Sequence, residues 1–254
     1  MRDVLRALAA GDITVAEAEA RLSGYATTEA GRFDAAREDR RGVPEAILAD
    51  GKAPEAVADL VSTAVETTGR AIVTRADEAC RTAARNAAPD GAAVSENAAA
   101  RTVVVHADGF EPPTLEATVA VVTAGTSDVP VAEEAAVIAS EMGAAVERID
   151  DVGVAGLHRL LDHVAALRTA DVAVVAAGRE GALPTVVAGL VDTPVVGLPV
   201  STGYGAGGEG EAALLGMLQS CSVLTVVNVD AGFVAGAQAG LIARTVDFAR
   251  RGPE

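Results

Sequence analysis

Glu211-Ala-Ala-Leu-Leu-Gly-Met-Leu-Gln-Ser-Cys221-Ser-Val-Leu-Thr-Val-Val-Asn228-Val-Asp230-Ala-Gly232-Phe233 reads as a helix, a corner carrying a cysteine, and a strand ending in Asn-Val-Asp. Ala213, Leu214, Met217 and Leu218 fall on one helical face. The run Val223–Val229 is β-branched and nearly continuous, which predicts a buried parallel strand. Cys221 sits at the junction. One reading is a buried structural thiol packing as a small hydrophobe. The other is a nucleophile, which must then overcome the partial negative charge of the preceding helix C-terminus, since that charge disfavours a thiolate.

Upstream, the same strand-and-helix alternation repeats. Strands are predicted at Thr118–Thr123, Ala145–Ile149, Asp171–Ala176 and Pro194–Leu198, followed by helices at Val129–Met142, Gly156–Leu167, Leu183–Val191 and Glu209–Gln219. A last helix runs from about Phe233 to Arg250. Five strands alternating with helices specify an α/β fold, a doubly wound five-stranded parallel sheet in a three-layer αβα arrangement. Ligands collect beyond the carboxyl ends of such strands. The loops there are polar and Gly-rich: Gly125–Asp128, Gly178–Gly181, Ser201–Gly208 and Asn228–Gly232. Two of them lead into helix N-termini, where backbone N–H groups cradle phosphate. Neither a dinucleotide fingerprint nor a Walker A loop is present. Asp128, Glu180 and Asp230 all fall at strand ends. Each alone suits a helix cap or a solvated loop acid; together they suit acid–base or Mg²⁺ work.

The preceding residues form a smaller α/β region, giving expected domains at 1–114 and 115–254 with the join near Asp108–Pro113. Short helices are predicted over residues 2–23, with Thr14 as a cap. A helix opens at Pro54 and runs to about Thr68, the strand Arg70–Arg75 follows, then a helix Asp77–Ala88 carrying Cys80 and the strand Arg101–His106. The charge-dense segment Gly31–Glu45 reads either as a solvated arm with paired charges or as a source of arginines for a phosphate-bearing ligand.

Composition narrows the function classes. Of 254 residues half are hydrophobic and only 2% aromatic, so the core is built from Ala, Val and Leu. The net charge of −16 disfavours nucleic-acid binding. No apolar run reaches membrane-spanning length and the N-terminus lacks a signal pattern, so a soluble cytoplasmic protein with no membrane partner is expected. Two cysteines make neither a disulfide framework nor a metal site. The acidic, Ala-rich composition, with Lys52 as the single lysine, suits a protein adapted to high salt. Keeping one lysine in such a chain suggests a need for a compact ammonium, and Lys52 is assigned to a ligand phosphate or carboxylate.

Gly125-Thr-Ser-Asp128, Ala182-Leu-Pro184 and Pro194-Val-Val-Gly-Leu-Pro199 resemble the aminoimidazole ribonucleotide carboxylase (PurE) superfamily, with Ala182 where that superfamily carries its proton-transfer histidine. Gly31–Glu45, Gly51-Lys52, Thr74-Arg75, Ala124–Ala135, Glu180–Pro184, Ser220-Cys221 and Asn228–Phe233 resemble the LarB family over nearly the whole chain. That resemblance implies carboxylation of the pyridinium ring of nicotinic acid adenine dinucleotide with CO₂ and cleavage of its phosphoanhydride, with Mg²⁺ as cofactor. The products are pyridinium-3,5-biscarboxylic acid mononucleotide and AMP, the first step of nickel-pincer nucleotide synthesis, carried out by a homo-oligomer (octamer or tetramer). It implies Cys221 as a nucleophile adding to ring C4, Glu180 as the base for the C5 proton, and Asp128 orienting the ring or ribose or sharing that proton. Substrate contacts are expected from Gly125, Thr126, Ser127, Arg179, Gly181, Gly203, Tyr204, Gly205, Asn228, Lys52 and Arg75, with Asp230 holding Mg²⁺. Two other readings stay open: a purine-type mutase or carboxylase, disfavoured by Ala182, and a non-catalytic nucleotide-binding protein.

Overall fold

A computed structural model describes residues 1–252. The chain divides into two compact units, Met1–Glu111 and Pro112–Glu254.

The first unit opens with α1 (Arg2–Ala10) and α2 (Val15–Ser23), where the Thr14 hydroxyl accepts the Glu17 N–H at 3.1 Å. An antiparallel hairpin follows, β1 (Ala26–Thr28) and β2 (Gly31–Phe33), then α3 (Arg37–Arg41). The remaining elements are β3 (Ile47–Leu48), α4 (Pro54–Thr68), β4 (Arg70–Thr74), α5 (Glu78–Asn86), β5 (Ala93–Asn97) and β6 (Thr102–His106). The last four strands form one sheet in the order β3-β4-β6-β5, with β3–β4 parallel and the other pairs antiparallel. Val57 and Val61 of α4 pack on Val73, Val103 and Val105 of the sheet. The hairpin and β5 are additions to the expected elements. β5 is a polar, mostly exposed edge strand, so it lacks an apolar alternation, and its Glu96 pairs with Arg81 of α5 at 2.8 Å. The arm Gly31–Glu45 pairs its charges, with Arg37 to Glu45 at 2.9 Å, Arg40 to both oxygens of Asp34 at 3.0 and 2.7 Å, and Glu38 to the buried Arg70 at 2.7 Å.

The second unit is a five-stranded, all-parallel sheet. Its elements are β7 (Thr118–Thr123), α6 (Val129–Glu141), β8 (Ala145–Ile149), α7 (Leu157–Leu161), α8 (Val164–Thr169), β9 (Val172–Ala177), α9 (Ala182–Leu190), β10 (Val195–Pro199), α10 (Glu211–Leu218), β11 (Thr225–Val226) and α11 (Gly232–Arg251). The order β11-β10-β9-β7-β8 is that of a doubly wound fold whose strand direction of growth reverses between β7 and β9. The expected α/β class therefore holds. Val119, Val121, Val172 and Val174 are fully buried on one side of the sheet; Val122, Val175 and Leu183 fill the other. Each such valine contributes about 1.5–3 kcal/mol of burial. Bulk is kept low by close helix packing. Gly232, Gly236 and Gly240 recur every four residues on α11 against α6, and a β-carbon at Gly236 would overlap the Ala135 carbonyl.

Three expectations need correction. The strand placed at Val223–Val229 is only Thr225–Val226, paired to the edge of β10, and Val223 is 95% exposed. Of the face read on α10, Ala213 and Met217 are buried but Leu218 is 61% exposed, so part of this edge is left uncovered by the described residues. The helix placed at Gly156–Leu167 is broken into α7 and α8 at Asp162–His163. Among the described residues no helix is long and apolar enough to cross a membrane.

Candidate active site

The carboxyl ends of β7, β9 and β10 open into a cleft of about 550 Å³. Its wall is made by three loops whose backbones approach closely. Gly125, Ser127 and Asp128 come from the loop after β7, Gly178 to Glu180 from the loop after β9, and Thr202 to Tyr204 from the loop after β10. The loop after β8 adds Gly153, Val154 and Ala155.

Asp128 ties the three loops together. Its Oδ2 accepts the Gly125 N–H at 2.9 Å, and its Oδ1 accepts the Gly178 N–H at 3.2 Å and the Thr202 hydroxyl at 3.0 Å. The side chain is 5% exposed. Burial raises its pKa above the ordinary aspartate value, and the three hydrogen bonds oppose that rise. The loops are further held by the Arg179 N–H, which donates to the Thr202 carbonyl at 3.1 Å. Gly178 allows this approach, since a β-carbon there would overlap that carbonyl oxygen. Glu180 is exposed at the rim. Arg179 lies there too, with φ at 53° and its guanidinium carbon 4.2 Å from the centroid of the Tyr204 ring.

Among the expected site residues, Gly125, Ser127, Asp128, Arg179, Glu180, Gly203 and Tyr204 line the cleft together. Thr126, Gly181, Gly205 and Asn228 lie in the expected loops but not in its lining. Gly181, at φ 65°, instead seats the start of α9 against Ala213. Lys52 and Arg75 belong to the first unit. There Lys52 Nζ donates to the Leu48 carbonyl at 2.6 Å, and Arg75 has φ 55°. Cys221 is free and exposed, on the turn between α10 and β11, outside the cleft lining. Asp230 accepts the Ser201 N–H on Oδ1 at 2.9 Å, and its own N–H donates to the Pro199 carbonyl, so it braces the end of β10. These donors do not fit a protein-built Mg²⁺ cage: no three carboxylates, imidazoles or thiols converge among the described residues, and an oxygen of Asp230 is already engaged. Thr202 and Gly178 lie in two of the expected ligand loops but were not among the expected site residues. Their signal was the hydroxyl and the glycine next to strand ends, which gains meaning only once the loops converge.

The arrangement offers backbone N–H groups and the start of α6 for an anion, one shielded carboxylate, one solvent-facing carboxylate and one cation. It offers no imidazole, because Ala182 lines the wall at the start of α9.

Comparison with known proteins agrees with this geometry. Residues 118–250 match the family model described as AIR carboxylase, and residues 25–107 match the one described as LarB/PurE-like N-terminal domain. An uncharacterised protein of Methanocaldococcus jannaschii is 38% identical over 252 residues, covering 96% of this chain and 97% of that protein.

Proposed function

The chain belongs to the LarB family within the AIR carboxylase-like superfamily, and from that premise we propose that it carboxylates C5 of the pyridinium ring of nicotinic acid adenine dinucleotide and cleaves the phosphoanhydride. Membership of the family makes it a carboxylase-type enzyme acting on a nucleotide-type substrate. The observation that carries the finer reading is the titratable content of the cleft. Ala182 stands in the wall, no imidazole lines it, and Glu180 is the exposed carboxylate at its rim. A reaction relying on a histidine proton shuttle is poorly served there, whereas removal of a ring proton by a carboxylate is well served.

The Cys221 thiolate adds to C4 of the cationic ring, giving a neutral dihydropyridine whose enamine carbon C5 is nucleophilic. C5 bonds to the carbon of CO₂, leaving C5 tetrahedral with its hydrogen. Glu180 takes that proton, the enamine re-forms, and expulsion of the thiolate from C4 restores the pyridinium. Asp128 holds the three loops in register and orients the ring or ribose. Ser127 receives phosphate on its backbone N–H, while the Gly125 N–H stays committed to Asp128. Mg²⁺ enters as the counter-ion of the substrate diphosphate, so no step runs through a protein-held ion.

In this reading the thiol reaches the ring across a subunit boundary. Cys221 lies outside its own cleft, and the same edge exposes Leu215 by 47%, Leu218 by 61% and Val223 by 95%. A second copy covering those side chains in a homo-oligomer would bring one copy's thiol to another's cleft. The test is AMP release from nicotinic acid adenine dinucleotide with bicarbonate and Mg²⁺ at high salt, for wild type, Cys221→Ala, Glu180→Gln and a mixture of the two variants. Each variant alone should lose activity, Cys221→Ala by on the order of 10⁴-fold. Co-assembled variants should recover part of it, because some sites then receive both an intact thiol and an intact carboxylate. Full activity in Cys221→Ala would end the covalent mechanism, and absence of recovery would end the shared site.

A further inference from the structure

Arg179 is the one basic side chain among the residues that line the cleft, in a chain with 36 acidic and 20 basic residues. Its backbone is left-handed, at φ 53°, a conformation that costs free energy for a long side chain and that marks positions held for a purpose. What holds it is on both sides: the Gly178 N–H is fixed by Asp128, and the Arg179 N–H by Thr202. The guanidinium is laid over Tyr204, and among the described residues it makes no ion pair. Its N–H edges are therefore available for a ligand. Tyr204 is 78% exposed, so the ring face away from Arg179 is open as well.

We propose that Arg179 and Tyr204 form the subsite for the adenylate half of the substrate, with Arg179 binding the phosphate and the open face of Tyr204 stacking the purine. This rests on the dinucleotide reading above and adds how a dinucleotide is told from a mononucleotide. The planar fork of a guanidinium matches a phosphate through paired N–H donors. An exposed phenol ring is a stacking platform for a base. The charge of Arg179 also decides which end of the substrate lies here. Its guanidinium already occupies one face of the ring, so a cationic pyridinium on the other face would meet a second positive charge, whereas a neutral purine would not. The pyridinium half is thereby directed inward, toward Asp128 and the N–H groups of the loop after β7. The adenylate half stays at the rim, where AMP leaves once the phosphoanhydride is cut.

The experiment is calorimetric titration of the full chain with AMP, adenosine and uridine monophosphate, paired with turnover of the dinucleotide. Wild type should bind AMP more tightly than uridine monophosphate. Tyr204→Ala should weaken AMP about tenfold, while Tyr204→Phe, which keeps the ring, stays close to wild type. Arg179→Gln should weaken AMP about tenfold and leave adenosine little changed, because adenosine lacks the phosphate. In turnover these losses should appear mainly in KM for the dinucleotide. An AMP affinity that is undetectable, or equal in wild type, Tyr204→Ala and Arg179→Gln, overturns the subsite even if the dinucleotide is carboxylated. Binding of AMP that depends on both side chains, without any carboxylation, upholds the purine subsite and overturns the reaction.

Discussion

The cleft of the second unit has a counterpart in the first unit, a pocket also of about 550 Å³. Charge is used in opposite ways in the two. Of the charged residues lining the pocket of the first unit, Asp34, Glu38, Glu45, Arg70 and Arg21 are bound to partners within the unit, Asp34 to Arg40, Glu45 to Arg37, Glu38 to Arg70 and Arg21 to Glu17, while Asp39 faces solvent. In the cleft of the second unit, Asp128 is engaged by donors from its own and the neighbouring loops, but Glu180 faces solvent and Arg179, which makes no ion pair among the described residues, lies over an aromatic ring. The same volume is in one case lined mostly by ion-paired charges and in the other by acceptors and donors still to spend. Volume alone does not mark a site; uncommitted polar groups do.

The comparison breaks most sharply at Glu180. Glu180→Gln should lower ring carboxylation by roughly 10²–10⁴-fold with little change in melting temperature, because the side chain is a solvent-facing base. Comparable loss from Arg37→Gln, which removes the partner of the pocket residue Glu45, would erase the contrast between the two cavities. Next in size is Gly178→Ala. Its methyl group would displace the Thr202 carbonyl and pull the clamp apart, at about 1–3 kcal/mol of stability and with loss of activity, read by denaturant melts and AMP release. A variant as stable and active as wild type would show that the loops need not touch.

A smaller effect concerns pH. Burial raises Asp128's pKa in the native state, so this group's contribution to stability is full below the ordinary aspartate value of about 3.9 and is lost as pH rises through the raised native value. Asp128→Asn removes that titration. Wild type should therefore lose ground relative to the variant as pH rises from about 4 to 7. Parallel melting curves over that range would place the charge in an environment no different from water. Smallest is Arg37→Gln in the first unit, which removes a half-exposed pair with Glu45. It should cost under about 1 kcal/mol and leave AMP release unaltered. A loss of activity would instead mean that the arm lends its arginines to a ligand.

Much of the second unit was legible because fully buried parallel strands announce themselves. Val119–Val122 and Val172–Val175 are apolar throughout since both faces are covered. Val223–Val229 has the same composition and is not such a strand. Apolar content reports that a side chain is to be covered, without saying whether by its own chain or by another. β5 was hidden for the opposite reason, an edge strand whose polar residues pair with α5. In the site, Asp128 was visible as an acid at a strand end. Its hydrogen bonds to Gly178 and Thr202 join residues 50 and 74 positions away, a convergence that no local pattern encodes.

The near-absence of aromatic side chains also has an optical consequence. The chain has no tryptophan and two tyrosines, Tyr25 in the first unit and Tyr204 at the cleft rim. With Tyr25 replaced by phenylalanine and excitation beyond the phenylalanine absorption, the ultraviolet emission of the whole protein would come from one phenol under a guanidinium. Any base that settles on that ring should change its emission, so the protein carries its own binding reporter at the point where the substrate arrives.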